Sequence, residues 1–391
     1  MFADIYKENG VFLGDRFGVP YPEAFGHPLA EYRALATTAG LIDLCHWGVL
    51  RIAGSDRVRF LHSLVTHDIA SLEIGEASHC ALTTVKGKLV AEFIVLRRAD
   101  ELLVLVAQGD VRAVVDAIEK HIVADDVIVD DASGRFAVLS VEGPKAREVV
   151  RRVFPGEPIP SERLRFIDAD YQGTPVTILN NHVTGEKGLQ VIVPSEGARL
   201  MRDYLIQSGR AEDMALVGRA AWNMRRVEAG LPWFGADVSD NFPAECRLEH
   251  LVSFEKGCFL GQEPLARMHY RGHPNWLLVG LSPAGGSFPV HTPAFFSVES
   301  AHTLPSDREQ VTGALRALDL SAVVPANTPL RTAGNGGRPS GRVTSAVFSP
   351  KLQSPLHLGY VRAGLAGTGQ ELLLSLGEAD IVLTVTPLPV Q

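Results

Sequence analysis

The sequence predicts an α+β chain, with two related ferredoxin-like subdomains followed by an all-β region. Three observations carry this. A β-α-β-β-β-α order of segments occurs twice between residues 49 and 205. Within each copy the apolar spacing switches between the two-residue repeat of strands and the 3.6-residue repeat of helices. After Pro274 the helical stripes stop, and short β-rich segments are separated by Gly and Pro.

The elements of the first copy read off in order. Val49–Ala53 is a strand. Gly54-Ser55 introduces a helix with Ser55 as its expected N-cap, and Val58, Leu61, Leu64 and Val65 form its apolar stripe. Strands follow near 78–84, 90–97 and 101–107, the last two joined by a tight turn at Ala99-Asp100. Asp110 caps a second helix, striped by Val111, Val114, Val115, Ile118 and Ile122.

The second copy starts with the strand Phe136–Val141. Gly143-Pro144 opens a helix, with Pro in the first turn, where a missing N–H costs least. Strands near 165–171, 174–180 and 189–193 follow, then a helix capped by Ser195 that carries Leu200, Met201, Tyr204 and Leu205. The copies share no obvious sequence identity, so the order of elements is the argument for duplication. A further helix is expected over 215–229, ended by Gly230-Leu231-Pro232. The division expected is 1–275 and 276–391, with an insertion near 283–323 whose stretch 283–310 is rich in Pro, Ser, His and Gly and reads as surface.

Composition narrows the function classes. With 46% hydrophobic and 21% charged residues over 391 positions, the chain can bury several ordinary cores. A net charge of −8 argues against nonspecific binding to nucleic acid or an anionic membrane. No run approaches 18 apolar residues and no signal pattern opens the chain, so neither spanning nor secretion is expected. Cys45, Cys80, Cys246 and Cys258 form no CxxC pair and read as reduced thiols, which makes the cytoplasm the expected compartment. No metal site is expected either, because His269 and His273 hold a ligand spacing only on a helix, and Gly272 and Pro274 argue for a loop.

The most informative stretch is Lys256-Gly257-Cys258-Phe259-Leu260-Gly261-Gln262-Glu263, with Arg267 and Arg271 downstream. Gly257 and Gly261 permit a tight turn near a ligand or a second chain segment. Lys256, two residues before Cys258, is placed to lower the thiol pKa and favour a thiolate.

This string resembles the K-G-C-[FY]-x-G-Q-E motif of YgfZ-type iron–sulfur accessory proteins. Other segments resemble the glycine-cleavage T-proteins of the same family. These are Asp43, His46 and Gly48 in the Leu41–Gly48 stretch, and Phe60-Leu61 through Val65-Thr66-His67-Asp68. They continue with Arg225–Leu231 and Phe234–Asp237, then Gly341–Ser345, Ser349-Pro350 and Leu358–Val361. The resemblance implies that the two subdomains interlock around a central folate pocket and that the all-β region is a barrel. It implies tetrahydrofolate, or a one-carbon-substituted folate, as the bound molecule.

Site residues follow from the resemblance. A carboxylate can accept from both the ring N–H and the exocyclic amine of a pterin. In the family the Glu of R-x-E-A-G does so, and Glu228 matches it. Its expected place at a helix C-terminus gives a merely structural glutamate nothing from the dipole. Lys88, Arg225, Arg226, Arg267 and Arg271 are candidates for the folate carboxylates. The catalytic carboxylate of T-proteins lies in G-G-[IV]-[IL]-D-D. Here the stretch is Gly87–Glu92, with Ala91 for the first Asp and Glu92 for the second. The aromatic residues flanking that carboxylate are replaced by His79 and Leu96.

These departures, with Cys258 as a functional thiol, lead to the expectation of a folate-binding accessory protein for iron–sulfur enzymes or their assembly. The alternative is a tetrahydrofolate-dependent methyl or aminomethyl transferase or demethylase that uses Glu92 and takes the one-carbon unit from a methylated small molecule. A third reading is an interaction module of the same fold that binds no folate.

Overall fold

The computed structural model describes residues 2–8, 11–16, 19–108, 110–185, 187–285, 320, 324–332, 339–376 and 379–390. Most of the stretch expected as an insertion lies outside them.

Two sheets and a barrel organise the chain. The first sheet has five strands in the order Ala77–Thr83, Leu89–Arg97, Leu102–Gln108, Gly48–Ala53 and Ile128–Asp131. The second has six, in the order Phe166–Tyr171, Thr174–Leu179, Gly188–Pro194, Phe136–Glu142, Gly40–Asp43 and Ala215–Val217. The β-α-β-β-β-α order of each copy is therefore present. The copies are interlocked by strand exchange. Gly40–Asp43 runs directly into the first copy yet pairs antiparallel with Phe136–Glu142 of the second. Ile128–Asp131 runs into the second copy yet pairs with Gly48–Ala53 of the first. Each unit so lends its leading strand to the other's sheet.

The sheets face one another across a shared core, which explains why their strands read as nearly continuous apolar runs. One face of the first sheet contributes Val49, Ala81, Ile94, Leu103 and Leu105 to that core, where they meet Val138, Leu179 and Ile192 of the second. The other face, with Leu50, Phe93 and Val104, packs on the helices Arg57–Leu64 and Val111–Glu119. The outer face of the second sheet is covered through Val149, Val150, Met201 and Leu205 of the helices Ala146–Val153 and Ser195–Gly209. Six strands between Trp276 and Thr386 close the C-terminal barrel.

Asp110 caps its helix as expected, its carboxylate accepting from the N–H of Arg112 and Ala113. Four local expectations change, the first being that Pro144 stands before its helix, which starts at Ala146 after Lys145. Ser55 does not cap Arg57–Leu64; both its N–H and its hydroxyl donate to Asp126. Ser195 makes no side-chain cap bond, and it is the first residue of its helix rather than the cap. Residues 215–217 are a strand, not a helix turn, because pairing parallel to Gly40–Asp43 satisfies an edge that would otherwise be bare. The helix starts after it, at Arg219, and ends at Ala229 with Gly230 in the left-handed cap conformation, φ 74°. No helix of the described residues is long and apolar enough to cross a membrane.

Candidate functional site

A cavity of about 750 Å³, the open solvent at its mouth included, lies where the two units meet. The first unit supplies His79, Glu92, Ile94 and Ala107 from adjacent strands, and Trp47 from the loop before Gly48–Ala53. The second supplies Asn181, His182 and Val183, which follow the strand Thr174–Leu179. Trp222 and Trp233 close one side, with ring centroids 4.8 Å apart.

Glu92 is the one acidic side chain among the described residues that line this cavity. Its side chain is 12% exposed, and its Oε1 lies 2.6 Å from Nε2 of His79. Cross-strand pairing sets this contact: Glu92 is opposite Ala81, and His79 stands two residues along on the same face. Nη2 of Arg163 lies 3.3 Å from Nδ1 of His79. A guanidinium only donates, so Nδ1 accepts and Nε2 carries the proton given to Glu92. Arg163 thus fixes the tautomer, and His79 fixes the carboxylate. Deeper in the wall, Asn181 is 2% exposed and its Oδ1 has no hydrogen-bond partner. Nδ1 of His182 is also without one, and burial, aided by Arg163 and His79, pushes that imidazole down to about 4. Unspent polar atoms on an enclosed wall are what a polar ligand edge would meet.

Of the eight residues singled out from the sequence for catalysis or folate binding, Glu92 and Arg226 line this cavity. Glu228 lies behind it. Its Oε2 accepts from the Tyr32 hydroxyl at 2.7 Å, and its Oε1 from the Ser349 hydroxyl at 2.6 Å and the Lys351 N–H at 3.1 Å. Arg225 stands beside it, donating to the Tyr32 hydroxyl at 3.2 Å. Lys88 sits 3.7 Å over the Phe242 ring and 3.9 Å from Glu245. Arg267 is exposed and pairs with Glu263 on its own helix, Gln262–Arg271.

Cys258 is exposed and outside the cavity. The amine that was expected to activate it points elsewhere. Lys256 donates to the backbone carbonyls of His62, Val65 and His67, so it caps the end of the helix Arg57–Leu64. Burial pushes the amine down to about 8. Gly261 has the tight turn expected of it, φ 80°, and the segment it abuts is chain, not ligand. A Cβ there would come within 2.4 Å of the Thr84 carbonyl oxygen. Among the described residues no group of three or more His, Cys, Asp or Glu is placed to hold a metal.

Two family models match the chain: the GCVT N-terminal domain over residues 2–256 and the glycine cleavage T-protein C-terminal barrel domain over 314–390. The chain belongs to the glycine-cleavage T-protein family. An aminomethyltransferase of Chlorobium chlorochromatii is 29% identical over 290 residues, which cover 73% of this chain and 78% of that one. An aminomethyltransferase of Chlorobium luteolum is 25% identical over 355 residues, covering 90% and 87%. In fold, the aminomethyltransferase T of the Bartonella henselae glycine cleavage system superposes with a TM-score of 0.81 at 24% identity. It covers 99% of this chain and 96% of its own.

Within this T-protein fold, the residues that sequence reasoning missed are Arg163, Asn181 and His182. The one signal for the last two was Asn180-Asn181-His182, three polar residues that end an apolar strand. His79 was visible only as a missing aromatic; its role as the partner of Glu92 needed the strand register. Leu96, the other substitution, is fully buried in the core shared by the sheets.

Proposed function

We propose that the chain is a tetrahydrofolate-dependent one-carbon transferase whose cavity between the two units holds the reduced folate. The observation that carries this is the Glu92 carboxylate, fixed by His79 at 2.6 Å on the wall of a cavity closed by two tryptophans. The cavity suits a pterin, which has apolar faces and a polar edge. Trp222 and Trp233 offer aromatic surface, and Asn181 and His182 offer polar atoms with no other partner. A bound tetrahydrofolate supplies a nucleophilic nitrogen as the acceptor of the one-carbon unit.

The protein's own residues do three things. Glu92 stabilises the positive charge that develops as the one-carbon unit leaves its donor, and it takes the proton released at the acceptor nitrogen. His79 holds the carboxylate in place through the tautomer that Arg163 selects. The tryptophans and Leu231-Pro232 keep water from the reacting centre.

The relatives named aminomethyltransferase favour this reading over the iron–sulfur accessory role. That role rested on Cys258 and Lys256, and the one is exposed outside the cavity while the other is spent on helix carbonyls. The test has two parts. Calorimetry with tetrahydrofolate should show saturable binding that Trp222→Ala weakens about tenfold or more. Formation of one-carbon-substituted folate from a panel of methylated and aminomethylated donors should then be lost in Glu92→Gln, with folate affinity kept within a few-fold. Absence of binding by every reduced folate would overturn the proposal.

A further inference from the structure

Glu142 is a fully buried carboxyl group that has no part in the chemistry proposed for the cavity. It ends the strand Phe136–Glu142, and by alternation it shares with Ser140 the face on which Val138 enters the core between the sheets. Four donors converge on it. The Ser140 hydroxyl and the Val183 N–H reach Oε1, each at 2.8 Å. The Thr184 N–H reaches Oε2 at 3.0 Å, and the Thr184 hydroxyl reaches the same atom. Three of these donors belong to one short strap, residues 181–184, between the strands Thr174–Leu179 and Gly188–Pro194. A glycine shapes the same place. Gly188 stands opposite Glu142 in the sheet register. A Cβ on it would come within 2.8 Å of the Asn181 carbonyl oxygen, 2.9 Å of Cγ of Glu142 and 3.1 Å of Cβ of His182. The strap therefore crosses directly over Gly188, and Glu142 reaches past that gap to tie it down.

Asn181, His182 and Val183 of the strap line the cavity, where Asn181 Oδ1 and His182 Nδ1 have no hydrogen-bond partner. We infer that Glu142 is the positioning residue of this wall: with Gly188 it sets where Asn181 and His182 stand, and so how tightly the cavity holds its reduced folate. The identity of the ligand rests on the transferase reading above; the hold on the strap does not. The pattern of donors makes the choice of side chain specific. Each carboxyl oxygen meets one backbone N–H, that of Val183 or that of Thr184. A hydroxyl can turn and accept instead, but a backbone N–H only donates. Glutamine has a single accepting oxygen, so in either orientation its amide nitrogen would face a backbone N–H. That replacement keeps the volume of the side chain and releases one end of the strap.

The experiment makes Glu142→Gln and Gly188→Ala separately in the full chain and reads two quantities. One is the titration of the ¹⁵N-labelled His182 imidazole in the ligand-free protein, assigned by its loss in His182→Gln. The other is the Kd for tetrahydrofolate by calorimetry. In the wild type, burial, Arg163 and His79 disfavour the His182 cation, so the ring should stay neutral down toward about pH 4. Both variants should move its titration up toward the usual value of about 6.5 as the strap leaves the wall. Loss of the two wall contacts should raise the tetrahydrofolate Kd about tenfold or more. Ser140→Ala removes the one donor outside the strap, and it should lower the urea midpoint while keeping both readings. Variants that lose stability yet keep the wild-type His182 titration would overturn the inference, because Glu142 would then only hold the sheet together. So would a shifted His182 with wild-type folate affinity, equal shifts in Ser140→Ala, or a wild-type His182 that titrates near its usual value. A His182 that responds as expected in a protein whose wild type binds no reduced folate would uphold the strap and sink the transferase reading, so the two failures are distinguishable.

Discussion

Replacing Glu228 by Ala separates two roles that this carboxylate could have. In the structure both oxygens are taken. The Tyr32 hydroxyl, the Ser349 hydroxyl and the Lys351 N–H all donate to it, at 2.7, 2.6 and 3.1 Å, and Arg225 stands 3.7 Å away. Glu228 is 4% exposed and Ser349 is fully buried, so water cannot simply take the place of the lost acceptor. A hydrogen bond to a charged group contributes roughly 1.5–3 kcal/mol, and a buried donor left bare costs about 1–3 kcal/mol. Three such donors, one of them only partly buried, put the loss at about 3–5 kcal/mol, the range for breaking a buried ion pair. Urea denaturation followed by tryptophan fluorescence should show a midpoint shift of that size. Glu228→Gln, which keeps one acceptor oxygen, should lose about half as much. Tetrahydrofolate affinity, measured on the folded fraction, should change little. A variant with the wild-type midpoint and lost folate affinity would refute this reasoning and place the carboxylate on the ligand.

Two further outcomes follow from burial. Cys258 should be alkylated fastest of the four thiols, because it alone is exposed while burial raises the thiols of Cys45, Cys80 and Cys246, the last to about 12. Peptide mass spectrometry should find its rate unchanged by tetrahydrofolate, since it lies outside the cavity; strong protection by the ligand would contradict that placement. His357, fully buried in the barrel with Nδ1 3.2 Å from the Leu281 carbonyl oxygen, is held down to about 4 by desolvation. Its folded pKa is depressed below the unfolded value near 6.5, so only the unfolded chain binds the proton between them. Stability should be full above about pH 6.5 and fall toward pH 4, by at most about 1.4 kcal/mol per pH unit from this residue. Urea midpoints across that window should slope less in His357→Gln; an equal slope would assign the acid sensitivity elsewhere.

The order of elements was legible because each strand and helix has its own apolar period, and that period depends on local burial. The exchange of Gly40–Asp43 and Ile128–Asp131 was not, since a strand's sequence records that it is buried but not which neighbour buries it. Residues 215–217 misled for the same reason: three apolar or small residues before a helix extend its stripe on paper, and only the parallel partner at Gly40–Asp43 makes them a strand. At the site, Glu92 was legible because it replaces an acid by an acid. Arg163 was not, because a single arginine in a loop looks like any solvated charge until the fold brings it within 3.3 Å of His79.

The motif residues themselves point to a division of labour in this chain. Arg226 is buried and pairs with Asp237 at 2.7 Å, and its second Nη donates to the Ser345 hydroxyl of the barrel. Asp237 also accepts from the Trp233 N–H and from the hydroxyls of Thr344 and Ser345. Glu228, one turn from Arg225, reaches Ser349 of the same barrel strand. Two sequence segments that resemble the family, 225–237 and 341–350, are thus opposite sides of one joint between the units and the barrel. A buried ionic joint tolerates substitution badly, because removing one partner strands the other in a low dielectric. The cavity residues that depart from the family pattern lie elsewhere: His79 where an aromatic is expected, Glu92 where Asp is, and Arg163 on no motif at all.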